Sequence, residues 1–129
     1  MGDLHQVTHL HYSRSKRRLE LTFSDGAHYQ LSAEFLRVFS PSAEVRGHGT
    51  GQEVLQTGKS SVAIAGIEPV GHYAVQITFD DGHDSGIYSW RYLRDLAARQ
   101  DHYWQQYLQQ LAAAGQSRDP EVQVLHFDP

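Results

Sequence analysis

The 129-residue sequence contains no cysteine. That excludes disulfides, thiolate nucleophiles, cysteine-ligated zinc and cysteine-held iron–sulfur clusters within this chain. Long apolar runs are missing too, and none approaches the roughly 20 residues that a membrane-spanning helix needs. The opening stretch, MGDLHQVTHLHY, has no apolar signal-peptide segment, so the expected compartment is the cytoplasm, with no membrane partner. Positive charge is short: 11 Lys and Arg stand against 15 Asp and Glu, for a net charge of −4. With a sequence pI of about 6.1, no nucleic-acid partner is expected. Methionine occurs once, whereas histidine occurs nine times.

What is present suits one small globular domain: hydrophobic residues make up 40% of the chain and charged residues 20%. The expected fold class is α+β, with mostly antiparallel strands, a short helix and a long C-terminal helical segment. The domain is expected over residues 5–115, followed by a tail over 116–129. Residues 5–12 alternate, with Leu10 and Tyr12 on one face and Val7, His9 and His11 on the other. Ser13-Arg14-Ser15-Lys16 is a polar turn, and Leu19, Leu21 and Phe23 alternate again. Asp25-Gly26 marks a tight turn before a return strand over residues 29–31. Ser32 can cap a helix with Phe35, Leu36 and Phe39 on its apolar face, stopped by Pro41.

Residues 40–60 are irregular and glycine-rich, with one helical turn expected over 53–56. Strands follow over 61–67, 73–79 and 85–88, with turns at Pro69-Val70-Gly71 and Asp81-Gly82. Ser89 caps a helical stretch with Leu93, Leu96, Ala97, Trp104, Leu108 and Leu111 near one face; Asp101-His102 is its expected break and Gly115 its end. The tail over 122–127 reads as a last strand or as disordered chain. The expected core is Leu21, Phe23, Phe35, Leu36, Val75, Ile77, Phe79, Leu93, Leu96 and Leu108.

A weak repeat runs through this pattern. LTFSDGAHYQLSAEFLR (21–37) matches ITFDDGHDSGIYSWRYLR (77–94) with one residue inserted. Each copy reads strand, Asp-Gly turn, strand, helix. Two such units can pack as an α+β layer pair, although a shared supersecondary unit could arise by coincidence.

Several motifs read as structure rather than chemistry. Thr57-Gly58-Lys59-Ser60 lacks the first glycine of a phosphate-binding loop, because Glu53 stands there, so it is a turn. His9 and His11 share a strand face at metal-ligand spacing, but no carboxylate sits at a matching offset on that strand; they read as an exposed polar face. His126 and Asp128 have the spacing of two ligands of a two-His-one-carboxylate iron site, whose distal His would have to follow. Ser-His-Asp catalysis lacks its G-x-S-x-G elbow. In Asp80-Asp81-Gly82-His83-Asp84, His83 and Asp84 exceed what a hairpin turn demands; Glu44 and His48, four apart in the glycine-rich loop, would share one side of a helical turn, or else belong to a solvated loop with a salt-bridging Glu. If the fold joins them, Glu44, His48, Asp81 and His83 form a candidate metal site. Carboxylates with imidazole suit iron, manganese or zinc.

LRVFSPSAEVRGHG (36–49), VGHYAVQITFDDGHDSGIYSW (70–90) and LTFSDG (21–26) resemble the gamma-butyrobetaine hydroxylase-like N-terminal domain family, across roughly residues 5–115. In the hydroxylases that domain precedes a jelly-roll oxygenase and carries a zinc site of three Cys and one His. The resemblance places Ser40, Ser42 and Val45 at the cysteine positions and His83 at the histidine, so one ligand of four remains. Stand-alone bacterial members resemble this chain most. Fusion of the same domain to P-loop iron–sulfur carriers implies a link to iron or iron–sulfur metabolism. The expected function is a non-catalytic accessory domain that binds a protein partner. The alternative is an iron- or zinc-binding protein that holds its ion weakly through His and carboxylate ligands. Hydrolase or oxygenase activity is the least expected. His83 is expected to pack against the 40–48 loop, near Glu44 or His48.

Overall fold

The computed structural model describes residues 6–47 and 53–121. The chain builds the same unit twice. Strands β1 (Val7–Ser13), β2 (Arg18–Phe23) and β3 (His28–Ser32) lead into helix α1 (Ala33–Val38) and the single turn α2 (Ala43–Arg46). Strands β4 (Ile64–Val70), β5 (Ala74–Phe79) and β6 (Gly86–Ser89) lead into α3 (Trp90–Ala98) and α4 (Gln100–Ala114). Each unit is a three-stranded antiparallel sheet in sequential order. The fold is α+β, as the sequence predicts.

The repeat extends to register. Leu10 faces Leu21 as Ile67 faces Ile77, and Val7 faces Phe23 as Ile64 faces Phe79. Both first strands carry a bulge at the same place, between Val7 and His9 and between Ile64 and Gly66. Both hairpins close alike: the amides of Phe23 and Phe79 donate to the carbonyls of Ala27 and His83, at 2.8 and 2.9 Å. Both following helices are capped by serine, Ser32 to the Phe35 amide and Ser89 to the Tyr92 amide, each at 3.0 Å. One core unites the units: Leu19, Leu21, Phe23, Leu31 and Leu36 pack with Ile77, Phe79, Tyr88, Leu93 and Leu96.

The structure corrects five local expectations. Val7 joins the core side of its strand rather than the His9 face, because the bulge inserts a residue and reverses the alternation. Residues 53–56 are irregular, and the helical turn lies over Ala43–Arg46, where the Ser42 hydroxyl accepts from the Glu44 amide at 3.1 Å. β4 starts at Ile64 and runs through Pro69, tolerated because β4 is an edge strand. The helical stretch breaks at Arg99, two residues earlier than Asp101-His102. Leu108 is half-buried, and Tyr107 takes the buried place on that face. The other nine expected core residues are buried.

Gly115 ends α4 in the left-handed conformation (φ 65°). The chain beyond it packs back on the body: the amides of Gly58 and Ser60 donate to the carbonyls of Ser117 and Arg118, each at 2.9 Å. Arg118 forks onto the buried Glu34 carboxylate with two 2.7 Å bonds. His48, the tail over 122–127 and the His126–Asp128 pair lie outside the described residues. Among the described residues, no helix is long and apolar enough to cross a membrane.

Candidate functional site

The β5–β6 turn meets the loop that follows α1. His83 leaves the turn as a buried side chain held at three points. Its amide donates to Asp81 Oδ1 at 3.1 Å, its Nε2 lies 2.8 Å from Ser40 Oγ, and its Nδ1 lies 3.1 Å from Glu44 Oε1. The expected approach of His83 to the 40–48 loop, at Glu44, is therefore present. The Glu44 side chain itself is 70% exposed.

Burial, followed by the positive charge of Arg37, pushes the His83 pKa below its ordinary value, against the opposing pull of Glu44 and Asp81. A neutral ring has one N–H. The bonding pattern is satisfied when Nδ1–H donates to the Glu44 carboxylate and Nε2 accepts from the Ser40 hydroxyl. Ser40 Oγ then accepts from the Ser42 amide at 3.2 Å, and the Ser42 and Ser85 hydroxyls meet at 2.6 Å. The packing is tight at this point: a Cβ on Gly86 would stand 2.5 Å from Ser40 Oγ, so only glycine lets β6 pass the loop.

Asp81 faces the other way. Its Oδ2 accepts from Arg37 Nε at 2.9 Å and from Lys59 Nζ at 2.8 Å. Burial raises its pKa, but the Lys59 bond, the His83 amide and Arg37 together bring it down to about 2. Arg37 also donates to Gln56 Oε1 at 2.9 Å, which ties the irregular 53–60 segment to the same cluster. So the structure brings Glu44 and His83 together, turns the Asp81 carboxylate to two cations, and leaves His48 outside the described residues. Among the described residues, no three His, Asp or Glu side chains form a group able to hold a metal ion.

The positions that the resemblance assigns to the family's zinc ligands do converge. Ser40 touches His83, Ser42 touches Ser40, and Val45 is buried beside them. The donor set is two hydroxyls, an isopropyl group and one imidazole whose two nitrogens are already bonded. That set does not fit a tetrahedral Cys₃His zinc site. Ser40, His83 and Glu44 also stand in the order of a Ser-His-Glu relay. Ser40 is 0% exposed, however, so its hydroxyl is closed off from solvent.

Sequence reasoning missed Arg37, Lys59, Gln56 and Ser85. A signal for Arg37 was available: Leu36-Arg37 and Leu93-Arg94 recur in the repeat together with Asp25 and Asp81. The structure pairs them crosswise, Arg37 with Asp81 and Arg94 with Asp25.

Beside the cluster a groove of about 520 Å³ opens between α1, the segment over 53–56, α3 and α4. Val38, Phe39, Val45, Leu55 and Leu96 give it apolar walls, and Arg46 stands at it with its guanidinium over the Tyr92 ring. Its three tyrosine hydroxyls are bonded within the fold: Tyr92 to the Phe39 carbonyl at 2.6 Å, Tyr107 to the Gln56 carbonyl at 2.7 Å, and Tyr103 to Asp95 at 2.5 Å.

Comparison with known proteins agrees with this architecture. Two NMR solution structures are similar: one is 46% identical with a TM-score of 0.81, covering 97% of this chain and 98% of that one. The other is 48% identical with a TM-score of 0.79, covering 100% and 97%. A crystal structure of a DUF971-family protein of unknown function from Acidithiobacillus ferrooxidans is 38% identical with a TM-score of 0.63, covering 74% of this chain and 97% of that one. No curated protein matches. The family model described as gamma-butyrobetaine hydroxylase-like, N-terminal, matches residues 10–94. That span runs from β1 to the middle of α3 and contains both Asp-Gly turns, Ser40 and His83, and the chain therefore belongs to the gamma-butyrobetaine hydroxylase-like N-terminal domain family.

Proposed function

We propose that this domain is a non-catalytic accessory module that binds a protein partner through the groove beside the His83 cluster. The observation that carries this reading is the contrast between the two features. In the cluster, the polar groups of His83, Ser40, Ser42 and Asp81 bond one another or nearby cations. In the groove, the tyrosine hydroxyls are bonded to groups of the fold, so the walls offer apolar area, with Arg46 and Glu53 both among the lining residues. Such a surface suits apolar side chains. The fusion habit implied by the family resemblance favours an iron–sulfur carrier protein as the partner. The test is a titration of ¹⁵N-labelled domain with a P-loop iron–sulfur carrier. The expected result is saturable shifts at Val38, Val45, Leu55 and Leu96, lost in Val54→Asp, a change at a 53%-exposed groove position. No shift at millimolar partner would overturn the reading.

The 3.1 Å approach of His83 to an exposed carboxylate supports a second reading, weak iron or zinc binding by Glu44 and His83. Asp81 could join them only by releasing Arg37 and Lys59. Titration with ferrous iron or zinc, followed at the His83 ring resonances, tests it; unshifted resonances at millimolar metal leave the hydrogen-bonded pair alone.

A further inference from the structure

The turn between β1 and β2 concentrates charge that the fold does not use. Arg14, Lys16, Arg17 and Arg18 are four of the chain's 11 Lys and Arg, and all four are exposed. The ion pairs among the described residues employ Arg37, Lys59, Arg94, Arg99 and Arg118, and none involves this tip. The contact found for its guanidinium groups is Arg18 Nη1 to Gln30 Oε1, at 3.5 Å. Four like charges this close repel one another.

The second unit provides an internal control. Its matching hairpin joins β4 to β5 through Gly71, His72 and Tyr73, without a Lys or Arg. The hairpin therefore forms without cations, and the basic tip is surplus to folding. Arg17 also holds a left-handed backbone (φ 53°), a conformation that favours glycine or asparagine, yet arginine stands there.

We propose that this tip docks a short acidic segment of a partner protein. The size of the patch decides between anions. Away from the tip the chain carries seven cations against fifteen carboxylates. A duplex or an anionic membrane extends past five residues and meets that negative body, whereas a local run of carboxylates meets only the tip. The surface is independent of the groove, and its test leaves the groove untouched.

The probe is an octaglutamate peptide added to ¹⁵N-labelled protein at physiological salt. The expected result is a saturable shift of the amides over 13–18. In the triple variant Arg14→Ser, Lys16→Ser, Arg17→Asn, affinity falls by about tenfold or more with the melting temperature unchanged. Asparagine at 17 keeps the left-handed backbone available. Four outcomes would overturn the proposal: no saturable shift at millimolar peptide; equal shifts in the triple variant; tighter binding of the tip by a twelve-base-pair duplex or a phosphatidylserine vesicle; or concentration-dependent tip shifts without peptide, which would make the occupant a second copy of the chain.

Discussion

Two Asp-Gly turns occupy equivalent places in the two units, and they have different surroundings. In the first, Ala27 follows Gly26; in the second, His83 follows Gly82. The backbone is the same: both glycines have φ near 90°, and Asp25 and Asp81 both accept the amide two residues on, at 3.1 Å. Each aspartate also pairs with the arginine on the other unit's helix. Arg94 does so half-buried, over the rings of Phe23 and Tyr29. Arg37 does so while 7% exposed, with Lys59 and Gln56 beside it. The difference lies in what covers the turn. Where the first sheet has Tyr29 opposite Leu21, the second has Gly86 opposite Ile77, and the loop carrying Ser40 fills the space. The same scaffold serves as a plain hairpin on one side and as the floor of a buried polar cluster on the other.

The largest effects test how far the halves are alike. Phe79→Ala and Phe23→Ala each remove a side chain 1% exposed and should cost ~3–5 kcal/mol by urea denaturation. Costs differing by more than about 2 kcal/mol would deny the two halves an equal share in the core. The arginines should then separate them. Arg37→Ala strips a largely buried partner from Asp81 and should cost ~3 kcal/mol, while Arg94→Ala, at a more exposed pair, should cost ~1 kcal/mol or less. Equal losses would place both pairs in the same environment. Gly86→Ala should cost ~1–3 kcal/mol, because its new methyl meets Ser40 Oγ, which is itself bonded to His83. An unchanged urea midpoint would show that the loop yields.

The repeat, the strand faces and the serine caps were legible because they depend on neighbours in sequence: alternation at period two, Asp-Gly at the turns, Ser32 and Ser89 before apolar helical spacing. The bulges were not legible. A single inserted residue leaves no mark in composition, and it moved Val7 to the other face. The Ser42 cap is equally local, yet the glycines after it read as loop, and the sequence places the helical turn ten residues too late. At the site, the mismatch of Ala27 and His83 identified the residue that matters, because the turn alone requires no imidazole. Lys59 read as part of a failed phosphate loop. Its partner Asp81 is 22 residues away, and Ser40 and His83 are 43 apart, distances over which residue type says nothing about contact.

The smallest expected effect isolates His83 itself. Its pKa in the folded protein lies below the ordinary 6.5, with burial as the first cause and Arg37 as the second. In this window the unfolded chain binds more protons than the folded one, so stability rises with pH. The contribution is whole above about pH 6.5 and is lost as the pH falls from there through the folded value. Asp81 adds a second loss lower down, between its ordinary 3.8 and about 2. The two windows separate the residues. In His83→Ala the stability curve should flatten near pH 6 and keep its fall below pH 4. In Ala27→His, at the equivalent turn without the loop that carries Ser40 and Glu44, no new slope should appear near pH 6. Urea midpoints measured from pH 8 to pH 3 on the three proteins decide it. A slope near pH 6 that survives in His83→Ala would belong to another histidine. A slope gained in Ala27→His would mean that the turn alone, and not the covering loop, sets the behaviour of an imidazole at this position.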